Sequence, residues 1–165
     1  MASKLRVDSI LPVDGAPTSG GGGVIQVVSA TKTDTQTFSS QGNHDITGLS
    51  VTITPKFATS KMLVMYTVNV GPTEGGYSAG VSIVRDSTEI FIGDAAGLRR
   101  QVSTFTSISN TGGGTDYNMV NANGQHLDSP NTTSAVTYKM QAYNSGNWSS
   151  NGMYSPSLIA MEVSA

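Results

Sequence analysis

The chain contains no cysteine, which excludes disulfides and thiolate-held metal sites and fits assembly in a reducing compartment. Charge is scarce too. Only 12% of the 165 residues are Asp, Glu, Lys or Arg, about half the share of an ordinary soluble domain. The formal net charge is -2, and Arg99-Arg100 is the only adjacent basic pair. One pair makes no phosphate-binding stripe, so no nucleic-acid partner is expected. Long hydrophobic runs are missing. Nothing approaches the roughly 20 apolar residues of a membrane-spanning helix, and residues 1–15 lack the apolar core of a signal peptide, so membrane insertion is not expected. Helical periodicity is also missing: every stretch with a 3.6-residue apolar period is soon interrupted by Gly, Pro or a β-branched residue. Almost no helix is expected.

Hydroxyl side chains and glycine take the place of charge, with 22 Ser, 19 Thr and 19 Gly. The chain divides into three parts. Residues 1–18 read as an extended N-terminal arm, because Leu5 and Val7 alternate with Lys4, Arg6 and Asp8, and Pro12 and Pro17 oppose a helix. Residues 19–23, Ser followed by four Gly, read as a flexible linker. Residues 24–165 carry strand signals throughout. Strands are expected near 24–30, 35–40, 46–54, 61–70, 78–85, 89–93, 100–109, 116–121, 134–143 and 157–164, with a hairpin connection at 86–88 and a further turn signal at Asn123-Gly124. Leu49, Val51 and Ile53 share one face of their strand, as do Val136, Tyr138, Met140 and Ala142 of theirs. Segment 61–70 is apolar on both faces, which predicts a central strand or one whose second face meets another subunit. Short strands broken by turn residues at this spacing predict an all-β fold, a single β-sandwich of jelly-roll type.

Catalytic and metal chemistry find little support. His44 lies beside Asp45, and His126 stands two residues from Asp128, but neither pair has a third partner. No serine occupies a Gly-x-Ser-x-Gly elbow. Asp86 with Glu89, and Asp94 beside Gly93, lack the alternating oxygen ligands of a calcium loop. The glycine run is followed by neither the Lys-Ser/Thr of a phosphate loop nor a helix. A non-enzymatic protein without catalytic residues, metal or cofactor is expected. Two features suit contact with other molecules. In the arm, Leu5, Val7, Ile10 and Leu11 fit a docking strand added to a partner's sheet or wrapped around a neighbouring subunit, the alternative being a disordered tail. In 143–154, Tyr143, Trp148 and Tyr154 stand among Asn, Ser and Gly. Such aromatics suit contact with sugars or proteins, the alternative being that Trp148 plugs the core.

The segments SKLRVDSILPVDGAP, GGVIQVVSATKTDT, ITGLSVTITP, IVRDSTEIFIGDAAG, LDSPNTTSAVTYKMQ and SLIAMEV resemble, in this order, tail-fibre-like and virion structural proteins of tailed bacteriophages of aquatic bacteria and cyanobacteria. The resemblance implies a place on the virion surface, assembly in the host cytoplasm, a homo-oligomer of trimeric type, tail or capsid proteins as partners, and contact with a host-surface glycan or protein. The chain lacks coiled-coil heptads, a collagen-like repeat and a β-helical shaft. A short tail fibre or fibre tip therefore fits better than a long fibre. A capsid decoration protein and a free carbohydrate-binding module are the alternatives.

Overall fold

The computed structural model describes residues 23–70, 78–107, 120–144 and 156–164. Leu5, Val7, Ile10, Leu11, Trp148 and Tyr154 lie outside them. The described residues form nine strands and no helix: β1 (Val24–Thr31), β2 (Gly42–Ile53), β3 (Lys61–Val70), β4 (Ser78–Arg85), β5 (Thr88–Ile90), β6 (Thr104–Ser107), β7 (Val120–Asp128), β8 (Val136–Asn144) and β9 (Ser157–Val163). They make two sheets. One has the order β1-β9-β3-β7; the other has β2-β8-β4-β5, with β6 also paired to β4. All pairings are antiparallel. Strands β1 to β4 alternate between the sheets, and β7 to β9 do so again. Two interleaved four-strand orders of this kind define the jelly roll.

Alternation explains the sandwich. Along β3, Met62, Val64, Tyr66, Val68 and Val70 are buried while the residues between them are partly exposed. Along β8, Val136, Tyr138, Met140 and Ala142 do the same from the other sheet. These two faces meet as the core, with Leu49, Val51 and Ile53 of β2 and Leu158 and Ala160 of β9. β3 is central, paired to β9 on one side and β7 on the other.

Several expected elements differ. Residues 35–39 form no strand; Phe38 is buried and its ring stacks on His44 at 5.1 Å. His44 and Asp45 lie in β2 rather than in a turn. There β2 bulges, so that residues 46–49 stand opposite Met140 alone between the Asp45–Gln141 and Ser50–Lys139 pairs. Gly48, at φ 82, permits the reversal, and both Ile46 and Leu49 are thereby buried. The Gln36 side chain serves the displaced backbone: it accepts from Thr47 N at 2.8 Å and donates to Asp45 O at 3.0 Å. The strand expected at 89–93 is only Thr88–Ile90, because Phe91 turns at φ 55 and stacks on His126 at 4.9 Å. The 86–88 connection is confirmed: Arg85 pairs with Thr88 around Asp86 at φ 55.

The turn expected at Asn123-Gly124 is absent as well. Both residues lie inside β7, opposite Thr67 and Tyr66. Gly124 is required by packing, since a Cβ there would meet the Tyr66 hydroxyl at 2.7 Å and ring carbon Cζ at 2.9 Å. The Tyr66 hydroxyl in turn bonds Thr104 Oγ1 at 2.6 Å, tying β3 to β6 of the other sheet.

Glu162, on β9, is fully buried. Its carboxylate accepts from Lys56 N at 2.7 Å and from the Gln26 amide at 2.6 Å, and so ties the 54–60 connection to β1 and β9. Burial pushes this carboxyl up, but the neighbouring Ser60 hydroxyl, Gln26 and the backbone N–H groups of Lys56 and Phe57 outweigh burial and hold it below the usual glutamate value.

Gly124→Ala should lower unfolding free energy by about 1–3 kcal/mol in urea titration, through overpacking against Tyr66. An unchanged midpoint would mean that the ring shifts freely. A second expectation concerns pH. A carboxyl whose folded value is lowered adds stability in full above its unfolded value and loses it as pH falls through the folded one. Glu162→Gln should therefore destabilise by about 1–3 kcal/mol at neutral pH. The gap to the natural protein should close below about pH 4. A gap independent of pH would remove the ionised carboxylate from the account.

Candidate interaction surfaces

The two outer faces of the sandwich differ in chemistry. On the β2-β8-β4 sheet, pairing sets Asn43 beside Tyr143, Asp45 beside Gln141, Ser50 beside Lys139 and Thr52 beside Thr137. Polar contacts bind these rows together. Asp45 accepts from Lys139 Nζ at 2.7 Å and from the Gln141 amide at 2.6 Å. The Lys139 bond, and then the Gln141 bond, hold the Asp45 carboxyl below its usual value. The Thr52 and Thr137 hydroxyls bond at 2.9 Å.

The outward side of β4 is covered. Gly80, Ser82 and Val84 are buried, and a Cβ on Gly80 would meet Val102 at 2.8 Å. Ser103 Oγ fastens the covering segment by accepting from Ile83 N at 3.1 Å. This segment carries Arg100 to Tyr143, with the guanidinium carbon 4.9 Å from the ring centroid. Glu89 of β5 accepts from Arg100 Nη2 at 3.3 Å and from the Asn43 amide at 2.5 Å. Tyr143, Arg100, Glu89 and Asn43 therefore form one connected shelf at the end of β8.

Of the aromatic residues expected to make contacts, Tyr143 is thus half-buried, with one ring face occupied by Arg100. A flat apolar group could stack on that face only by displacing the guanidinium. Arg100, Glu89 and Asn43 were not evident from sequence, since no local spacing joins positions so far apart; the 91–103 covering segment brings them together. His44 Nε2 bonds Ser40 O at 2.8 Å. His126 stacks on Phe91. Asp86 Oδ1 accepts from Thr137 N at 2.9 Å and so docks the β4–β5 hairpin on β8. Among the described residues, no three His, Cys, Asp or Glu side chains converge as a metal site would require.

The outer face of the β1-β9-β3-β7 sheet carries an apolar patch. Registers align Val27, Met161, Leu63 and Leu127 as one row across all four strands. Ile159 and Met65 pair in the next row. Val27 and Leu127, at the two edges, are 53% and 54% exposed. Among the outward positions of these strands, Lys61 is the sole charged residue, and its ammonium bonds Ser129 Oγ at 2.7 Å. Beyond the apolar rows lies a short amide ladder: the Asn121 side chain donates to Asn69 at 2.7 Å, and that of Asn123 donates to Asn121 at 2.6 Å.

No protein-family model matches the chain, and no curated protein matches it. Likeness to solved structures is one of fold. A structure of infectious bursal disease virus, Gx strain, aligns with a TM-score of 0.50 and 15% identity, over 97% of this chain and 36% of that one. The VP2 subviral particle of infectious bursal disease virus gives a TM-score of 0.50 and 16% identity, over 93% and 36% of the respective chains. Dimeric latent PorU from Porphyromonas gingivalis gives 0.49 and 10%, over 83% and 12%. This chain therefore spans about a third of the viral chains, or less in the case of PorU. At these identities the two viral structures share its fold, a β-sandwich.

The Arg100–Tyr143 contact should be measurable. A double-mutant cycle of Arg100→Ala and Tyr143→Ala, read by chemical denaturation, should give a coupling of about 0.5–1 kcal/mol, as expected for an exposed cation–π pair. Zero coupling would leave Tyr143 an uncovered ring in solution.

Proposed function

We propose that this chain is a structural protein of the virion surface of a tailed bacteriophage, most simply a short tail fibre or fibre tip, acting by shape and assembly rather than by catalysis. The observation that carries the reading is the pair of strand orders β1-β9-β3-β7 and β2-β8-β4-β5. That topology recurs in viral capsid and lectin domains. It agrees with the resemblance of the sequence segments to phage virion proteins, and with the viral source of two structures sharing the fold. The neutral, hydroxyl-rich composition suits a particle that is assembled in a cell and exposed outside it.

In this reading the arm, with Leu5, Val7, Ile10 and Leu11, anchors the protein to other virion proteins. The end of β8, with Tyr143 and the following Trp148 and Tyr154, is where a host-surface glycan or protein is contacted. A second reading, capsid decoration, is favoured by the fold likeness to the VP2 subviral particle.

Quantitative mass spectrometry of purified virions distinguishes them. A copy number matching tail components is the expected result. A copy number near that of the major capsid protein would transfer the proposal to decoration. Absence from the particle would overturn both readings and favour a free carbohydrate-binding module.

A further inference from the structure

We infer that the outer face of the β1-β9-β3-β7 sheet is the surface through which this chain binds a second copy of itself. Contiguous apolar patches on soluble monomers seldom exceed a few hundred Å² without marking an interaction site. Here the apolar row Val27–Met161–Leu63–Leu127 runs unbroken from one sheet edge to the other. Ile159 and Met65 widen it on the two central strands.

Area and charge identify the occupant. Four strands about 4.8 Å apart, of 7 to 10 residues and so about 28 Å long on average, present a plane of roughly 540 Å² before side-chain relief is counted. A stable pair needs about 800 Å² from each partner, which this face approaches only when side-chain relief is added and its full extent, apolar rows and amide ladder together, is used. Contact between like faces brings each residue near its own symmetry-related neighbours, so any excess of one charge on the face would repel. This face carries only Lys61, held at its border by Ser129. The opposite face carries Asp45, Lys139, Glu89 and Arg100 and is suited to water. Two sheets pack about 10 Å apart through interdigitating side chains, and the unbranched Met161 and Met65 adapt readily to such a contact.

The inference does not depend on a virion location. Its test is light scattering and native mass spectrometry of the full chain over a concentration series. The natural protein should be oligomeric at micromolar concentration. Val27→Glu with Leu127→Glu changes two half-exposed edge residues and should raise the dissociation constant at least tenfold, with an unaltered far-ultraviolet spectrum. The milder Val27→Thr with Leu127→Thr should shift it in the same direction and guards against misfolding. Lys139→Ala, on the other face, should leave assembly unchanged. A monomeric natural protein at 100-fold higher concentration would overturn the inference. So would an oligomer indifferent to both double variants, or one that is abolished by removing residues 1–22 while the face is intact, since the arm would then be the adhesive element.

Discussion

A buried carboxylate joins the two sheets. Asp128 ends β7 in one sheet and is almost wholly buried. Arg85 and Tyr138, paired neighbours on β4 and β8, reach it from the other. Arg85 Nη1 lies 2.8 and 2.9 Å from its two oxygens, and the Tyr138 hydroxyl donates at 2.7 Å. Burial, and then the carboxylate it serves, push the Tyr138 hydroxyl up, so it remains a donor at any ordinary pH. Taking a carboxylate out of water costs several kcal/mol unless charge and hydrogen bonds replace the lost solvent. The sheets must therefore sit where Asp128 meets both partners. Apolar side chains tolerate a slide of one sheet over the other far better than this cluster does, so the cluster contributes register more than net energy.

The same logic governs the irregular parts of the fold. A jelly roll passes repeatedly from sheet to sheet, and each passage interrupts the backbone ladder. Glu162 replaces the missing partners at the 54–60 connection, and Gln36 does so at the β2 bulge. The side chain of Asn144, fully buried at the end of β8, donates to the carbonyl of Ser40 at 3.0 Å. Buried backbone groups are costly when unpaired, and long side chains serve them where no strand is adjacent. A chain with few charges thus buries some of them at the joints.

This division explains what could be read from sequence. β3, β8 and the second half of β2 were legible because their buried positions are large and apolar and alternate without error. β7 was obscure because its inward positions include Ala122, Gly124, His126 and Asp128, none of which signals a core. Ala122 and Gly124 leave room, Gly124 specifically for the Tyr66 ring; His126 meets Phe91 from the covering segment, and Asp128 makes the clamp. An Asn-Gly pair in such a setting mimics a hairpin turn. Arg85 does continue the parity of Ala79, Val81 and Ile83, and Asp128 that of Ala122 and Gly124. An ionised residue at an inward position of each strand was therefore the legible trace of the clamp. The Arg100–Tyr143 shelf left no such trace, because it depends on how the 91–103 segment crosses β4.

The contrast between the outer faces follows from strand identity rather than from average composition. On β2 and β8, outward positions carry charges that neutralise one another across adjacent strands, so this face satisfies itself and needs only water. On β9 and β3, both central in their sheet, outward positions carry Ile, Met and Leu. Cross-strand pairs such as Leu63–Met161 and Met65–Ile159 stabilise the sheet itself, and a second copy seated on this face would bury them further. The strand expected from sequence to be either central or subunit-facing is central, and its outward Leu63 and Met65 are among the residues that the proposed pairing of like faces would cover.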